Sequence, residues 1–197
     1  MSLWSFEPEW IHLPQGRLLW CPALFRDMAD GWFEHLEAEV PWQQHRLRLF
    51  GKTHDEPRLS CWMGELPYRY SGRVRQPVPW TPTVRAIRER VVQICEQDFN
   101  GVLLNLYRDG RDSMGWHADN EPELGRNPLI ASVSLGAPRR FLLRHCHDGQ
   151  RRQLVLGHGS LLVMAGEMQH HWQHALPKTA AATGRRINLT FRTVIHS

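Results

Sequence analysis

The sequence predicts a mainly β protein with flanking helices, an α+β chain whose C-terminal half is a jelly roll behind an N-terminal α/β layer. Three observations lead there. After Asn100 the chain breaks into seven short segments (101–108, 129–135, 139–145, 152–157, 160–165, 170–175 and 185–194), separated by turn sequences such as RDGRD, HDGQ and GHGS. Seven strands at this spacing suit an antiparallel sandwich or barrel. Before Asn100, two stretches carry helical periodicity instead. Finally, 197 residues without repeat or linker suit one domain with a substantial core.

The first helix is expected over 22–40, where Leu24, Met28, Trp32, Leu36 and Val40 recur every four residues. Gly31 interrupts that pattern, and Asp30 before it is a good N-cap, so a start after Asp30 is the alternative. From Pro41 to Pro82 the pattern is irregular and rich in Gly, Pro, aromatic and Arg residues, which reads as short strands and loops. The second helix is clearer. Thr81 caps it, Pro82 occupies the first turn, and Val84, Ile87, Val91 and Ile94 form the buried stripe. Residues 1–100 therefore support, and residues 101–197 make up the β core.

Composition removes several function classes. With 42% hydrophobic residues, 9 Trp and 7 Phe, the chain is not a disordered segment. No apolar run reaches the ~18 residues of a membrane helix, and the first residues lack the basic head and apolar stretch of a signal peptide. Cys21, Cys61, Cys95 and Cys146 are widely spaced with no C-x-x-C, so reduced thiols are expected rather than disulfides or a cysteine zinc site. These features suit an intracellular protein, cytoplasmic in a bacterial-type cell, with no membrane partner; a monomer is the expectation. The charge is +4, with 22 Arg against 2 Lys. Such a balance favours an anionic partner, nucleic acid first.

Candidate chemistry starts with strands that carry polar residues where apolar ones are usual. Strand alternation puts Leu103, Asn105 and Tyr107 on one face, and Arg186, Asn188, Thr190 and Arg192 opposite Ile187, Leu189 and Phe191. His170, Trp172 and His174 share a third face. Each row alone is equally a solvent face. Together, inside a sandwich, they would line a polar interior, where buried guanidinium groups demand an anion.

The second signal is His117-Ala118-Asp119. Ligands at i and i+2 on a strand project to one side, and a third from a neighbouring strand completes a 2-His-1-carboxylate triad with open positions on Fe(II). Chance supplies about half a His-x-Asp match in a chain of this composition. His174 is the favoured third ligand, with His170, His171 and His158 as competitors, and surface histidines remain the alternative.

Six blocks then occur in order: Asn105-Leu-Tyr-Arg-Asp-Gly, His117-Ala-Asp-Asn-Glu-Pro, Ile130-Ala-Ser-Val-Ser-Leu-Gly, His158-Gly-Ser-Leu-Leu-Val-Met, Trp172-Gln-His-Ala-Leu-Pro and Arg186-Ile-Asn-Leu-Thr-Phe-Arg192. Over residues 45–195 the chain resembles the AlkB family of Fe(II)/2-oxoglutarate-dependent dioxygenases, above all its animal DNA-repair members. The resemblance implies a double-stranded β-helix with iron held by His117, Asp119 and His174. It implies that Arg186, assisted by Tyr107, takes the distal carboxylate of 2-oxoglutarate, and that Arg192 and Asn105 take the proximal one. Asn188 and Thr190 share that face and support the site.

The N-terminal half matches as well. Arg48-Leu-Phe-Gly-Lys52 resembles the segment that wedges an apolar side chain into duplex DNA, with Phe50 as the wedge beside Gly51 and Lys52. Tyr68-Arg-Tyr-Ser-Gly72 resembles the nucleotide-recognition lid, with Tyr70 best aligned to stack on the damaged base and Tyr68 beside it. A base must leave the stack to reach a buried metal, so a plug and a stacking ring suit that task. Core packing is the alternative for Phe50 and Tyr70. One departure is present: Asn120 follows Asp119 where relatives often carry an acidic residue, and Glu121 is the substitute at hand. That bears on base preference and not on the oxidation. Trp116 and Trp172 are expected to pack beside the metal strands, while Arg144, Arg151 and Arg152 flank a hairpin turn suited to phosphates or to solvent.

The resemblance thus implies oxidative dealkylation of N-alkylated bases such as 1-methyladenine and 3-methylcytosine, in DNA or RNA, with 2-oxoglutarate and O2 consumed at Fe(II). Two rival readings are the same oxygenase acting on protein or a small molecule, and an idle nucleic-acid-binding relative.

Overall fold

The computed structural model describes residues 8–49, 52–70, 73–181 and 183–195. The chain opens with a hairpin, β1 (Glu9–Leu13) and β2 (Gly16–Cys21), for which the sequence offered no periodic signal. Helix α1 (Arg26–Glu39) follows. It runs straight through Gly31, where an added Cβ would meet nothing within 4 Å. A solvent-facing glycine costs only about 1 kcal/mol, less than the packing of Ala29 and Leu36 contributes. Asp30 is not the cap: its carboxylate accepts a hydrogen bond from His158 Nε2 at 3.0 Å.

Four short strands come next: β3 (Arg46–Leu49), β4 (Lys52–Asp55), β5 (Leu59–Gly64) and β6 (Tyr68–Tyr70); then come β7 (Arg73–Arg75) and α2 (Pro82–Cys95). Thr81 caps α2 as expected, its Oγ1 accepting from the Val84 N–H, and Val84, Ile87 and Val91 are fully buried. Pairs β3–β4 and β6–β7 form two separate hairpins.

The remaining strands are β8 (Gly101–Tyr107), β9 (Met114–His117), β10 (Ile130–Gly136), β11 (Arg139–His145), β12 (Arg151–Leu156), β13 (Ser160–Ala165), β14 (Trp172–Leu176) and β15 (Arg186–Arg192). A four-residue helix, α3 (Met168–His171), precedes β14. Two antiparallel sheets result, the jelly-roll arrangement. The larger has the order β1-β2-β13-β10-β15-β8-β5, and the smaller β12-β11-β14-β9. Three strands of the larger sheet come from the first hundred residues.

Strand alternation divides the interior in two. Val102, Leu104 and Leu106 of β8 and Ile187, Leu189 and Phe191 of β15 pack towards α1 and α2. Leu103 of β8 faces the other way, into the cluster between the sheets with Phe141, Leu143 and Met164. Arg186, Asn188, Thr190 and Arg192 share that inner side, and all seven residues of β15 are buried. The polar row is therefore interior.

Three expectations are corrected. Residues 114–117 form a strand absent from the seven segments. His170 lies in α3 rather than on a strand with Trp172 and His174, because the chain makes a helical turn there, and its ring is turned to the Arg126 carbonyl. Trp116 is not packed away; it is 38% exposed, with the Arg144 guanidinium 4.5 Å over its ring.

Candidate metal and cosubstrate site

The site is built where the small sheet faces the large one. His117 ends β9, and its Cα pairs with that of His174 on β14. Asp119 is not on the strand: it sits two residues beyond β9, where the chain has left the sheet. An i, i+2 pair therefore converges through irregular backbone after the strand instead of along one strand face. The ligand atoms of His117, Asp119 and His174 all lie within 4.8 Å of one another. Asp119 Oδ2 is 3.9 Å from His174 Nε2.

His117 and Asp119 are each held by a neighbour. His117 Nδ1 lies 2.8 Å from the Gly115 carbonyl, which can only accept, so Nδ1 carries the proton and Nε2 keeps a lone pair. Gln169 Oε1 accepts the Asp119 N–H at 2.8 Å from within the short helix α3. Trp172 donates its indole N–H to the Pro14 carbonyl at 2.9 Å, fastening β14 to the first hairpin. Burial pushes the His174 imidazole down to about 3, with the charges of His117 and Arg192 adding to the shift against Asp119. Burial likewise lowers His117. For Asp119 burial acts upward, but Arg192, His174 and His117 together outweigh it and hold the carboxyl below its usual range. At neutral pH the trio is two neutral imidazoles and one carboxylate, the protonation states that bind a metal.

Both arginines of β15 point into the same cavity, which is also lined by Tyr107, Met114, Asn188 and Thr190. Arg186 is 1% exposed, donates from Nη2 to Ser134 Oγ at 2.9 Å, and lies over the Tyr107 ring at 5.2 Å. Its Nε and Nη1 meet no hydrogen-bond partner in the protein. Burial, aided by Arg139, pulls this guanidinium down to about 10, while the nearby Tyr107 favours its charge. Arg192 is better matched, donating to the Tyr68 hydroxyl at 2.7 Å and approaching Asp119 Oδ1 at 3.4 Å. Asn188 donates to Ser132 Oγ at 2.8 Å and to the Val133 carbonyl at 2.9 Å, and accepts from Thr190 Oγ1 at 3.0 Å. Asn188 and Thr190 thus brace the floor of the cavity. Asn105 lies one step behind it, on the Leu103–Tyr107 face, with Oδ1 accepting from Arg58 Nε at 2.9 Å.

The expected substrate residues divide. Tyr68 is fully buried, stacks on Trp62 at 4.7 Å between centroids and meets Arg192 through its hydroxyl, so its ring is a packed core residue behind Arg192. An added Cβ at Gly101 would come within 2.3 Å of Trp62, which is why only glycine lets that indole lie flat beneath Tyr68. Tyr70 ends β6 and Lys52 begins β4. Phe50 and Gly51 lie outside the described residues. Asn120 is exposed, whereas Glu121 turns inward. Burial, then the Asp119 charge, raises the Glu121 carboxyl against the pull of Arg192 and the Tyr68 hydroxyl.

Sequence reasoning missed Gln169, Ser132, Ser134, Arg58, Glu56 and Arg139. Only the serines left a signal: two small polar residues at i and i+2 in an otherwise apolar strand, placed opposite Thr190 and Asn188.

Two imidazoles and a carboxylate form a donor set suited to Fe(II) with positions left open. The unpartnered nitrogens of Arg186 fit a carboxylate arriving beside that metal. The match agrees with comparison: over residues 19–192 the chain matches the 2OG-Fe(II) oxygenase superfamily, and it belongs to that family. Fe(II), 2-oxoglutarate and O2 are the cofactors that membership implies.

Within the family, the chain is 43% identical over 176 residues to human alpha-ketoglutarate-dependent dioxygenase alkB homolog 3, covering 84% of this chain and 62% of that protein. It is 39% identical over 204 residues to mouse DNA oxidative demethylase ALKBH2, covering 96% of this chain and 85% of that protein. The chain spans between 60% and 66% of the length of the mammalian alkB homolog 3 proteins it matches. A solved structure titled "The structure of OsALKBH1" shares the fold, with a TM-score of 0.65 at 16% identity over 94% of this chain and all of that one.

Proposed function

We propose that the protein removes alkyl groups oxidatively from the nitrogens of nucleobases in DNA, 1-methyladenine and 3-methylcytosine being the test cases, with RNA as the second substrate to assay. The observation that carries this reading is a His–Asp–His trio sharing one cavity with a buried arginine, two of whose nitrogens lack a partner. The demethylase named among the relatives supplies the substrate class.

When bound, Fe(II) with O2 and 2-oxoglutarate supplies the oxidation of the N-alkyl carbon, one oxygen atom entering that carbon and one entering succinate as CO2 leaves. The chain's part is binding and positioning. His117, Asp119 and His174 hold the metal. Arg186, with Tyr107 beneath it, takes the distal carboxylate of 2-oxoglutarate, and Arg192 with Asn105 serves the proximal end. Asn188 and Thr190 keep the floor rigid. For the extruded base the resemblance offers Tyr68, Tyr70, Asn120 and Glu121, and for the gap the base leaves in a duplex it offers Phe50 with Gly51 and Lys52. The hydroxylated carbon then departs as an aldehyde, returning the unmodified base.

A monomer inside the cell suits this work. The four cysteines are free thiols, and among the described residues no helix is long and apolar enough to cross a membrane.

The deciding experiment incubates the protein with Fe(II), 2-oxoglutarate and oligonucleotides carrying either lesion, in DNA and in RNA. Stoichiometric succinate and formaldehyde with repaired base support the reading. Succinate without repair on any oligonucleotide rejects the nucleic-acid substrate.

A further inference from the structure

Glu56 is 1% exposed, and its carboxylate sits between two guanidinium groups. Oε2 is 3.3 Å from Arg58 Nη2, and Oε1 is 2.8 Å from Arg75 Nη2. Both arginines are themselves nearly buried, at 3% and 9% side-chain exposure. Three ionised groups out of water cost several kcal/mol unless each is matched, so a purely packing role is a poor reason for placing them there.

The three partners lie on three parts of the molecule. Glu56 follows β4 at the base of the first small hairpin, its N–H donating to the His45 carbonyl at 2.7 Å and its carbonyl accepting from Gln44 Nε2 at 3.1 Å. Arg75 is the last residue of β7, in the lid hairpin, and also donates to Ser60 Oγ at 2.8 Å. Arg58 reaches β8, donating from Nε to Asn105 Oδ1 at 2.9 Å and from Nη1 to the Ser113 carbonyl at 3.3 Å. That bond orients the Asn105 carboxamide. Its oxygen must face Arg58, which leaves the NH2 as the end that can donate to a carboxylate.

We infer that Glu56 is a positioning residue that couples the lid hairpin to the cosubstrate site. One arm, Glu56–Arg58–Asn105, sets the amide that meets 2-oxoglutarate; the other, Glu56–Arg75, seats β7. Neutralising Glu56 releases both arms at once. The inference deepens the proposed function and rests on Asn105 serving 2-oxoglutarate.

The test uses the full chain loaded with redox-inert Mn(II). It measures 2-oxoglutarate affinity by calorimetry and amide hydrogen exchange over β6 (Tyr68–Tyr70) and β7 (Arg73–Arg75). Glu56→Gln is expected to weaken 2-oxoglutarate at least about fivefold and to speed exchange over the lid at least about tenfold. Arg58→Met should weaken 2-oxoglutarate and leave lid exchange alone, and Arg75→Met should do the reverse. Should Glu56→Gln not fold, these two single-arm variants decide the matter. Affinity within about twofold of wild type in Glu56→Gln or Arg58→Met, or unaltered lid exchange in Arg75→Met, overturns the coupling. Wild-type protein that binds no 2-oxoglutarate instead overturns the cosubstrate site itself, and the coupling with it.

Discussion

His117 and His174 are direct cross-strand partners, 57 residues apart in sequence, with ring centroids 4.2 Å apart and planes at 61°. Register makes them so. The neighbouring residue, Gln173, pairs with Arg144 and accepts its guanidinium on the opposite face of the sheet. A one-residue slip between β9 and β14 would therefore offer an amide where the second imidazole belongs.

His174→Ala should abolish Fe(II)-dependent consumption of 2-oxoglutarate while circular dichroism and the metal-free melting curve stay close to wild type. The side chain is buried as a neutral imidazole, so removal leaves a small cavity and no unpaired charge. Succinate release at the wild-type rate would overturn His174 as the third ligand.

Arg186→Met separates binding from stability. The buried guanidinium leaves two nitrogens without a partner, so an apolar side chain of similar length should leave the ligand-free protein at least as stable. Its 2-oxoglutarate KM should rise at least about tenfold, equivalent to about 1.4 kcal/mol. Arg192→Met should raise KM similarly but lower the melting temperature, since it strips Tyr68 and Asp119 of their shared donor. An unchanged KM in both variants would remove the arginines from the cosubstrate site.

Phe50→Ala tests the duplex. Extraction of a base from a stack costs a few kcal/mol that a single strand does not ask for. The variant should lose repair of a methylated base in duplex far more than in single strands, with cosubstrate turnover nearly unaltered. If Phe50 is a core residue, truncation costs ~3–5 kcal/mol, and both activities fall along with the melting temperature. An unaltered ratio of duplex to single-strand repair would discard the wedge.

Thiol labelling gives an independent check of the packing. Burial pushes the thiols of Cys21 and Cys61 up to about 11, and that of Cys95 up to about 12, the last with help from Cys21. Cys146 is exposed. Iodoacetamide at pH 8 should therefore modify Cys146 rapidly and leave the other three slow until the chain is unfolded. Mass spectrometry of the native protein showing early labelling at Cys61 would contradict its burial beside Arg75.

The chain's own residues already specified α2 through Thr81, Pro82 and the Val84–Ile87–Val91 stripe, and they marked β15 through its alternation. Both signals are local: a cap reaches three residues, and a strand's period is two. The resemblance to the AlkB family rested on short blocks that are also contiguous. Alternation alone did not say which side of β15 faces inward, because a polar row reads the same in water as in a cavity until a second sheet covers it; the resemblance implied the polar side by giving Arg186 and Arg192 to 2-oxoglutarate.

Only the tertiary structure decided that cover, together with the register that sets His174 against His117 and the irregular backbone after β9 that brings Asp119 beside them. It alone brought Gln169 to Asp119, Arg58 to Asn105, and Glu56 to Arg58 and Arg75. Each of these acts through a partner 47 or 50 residues away, or across hairpins, and no periodicity in one segment records the buried charge or N–H that another will need it to satisfy.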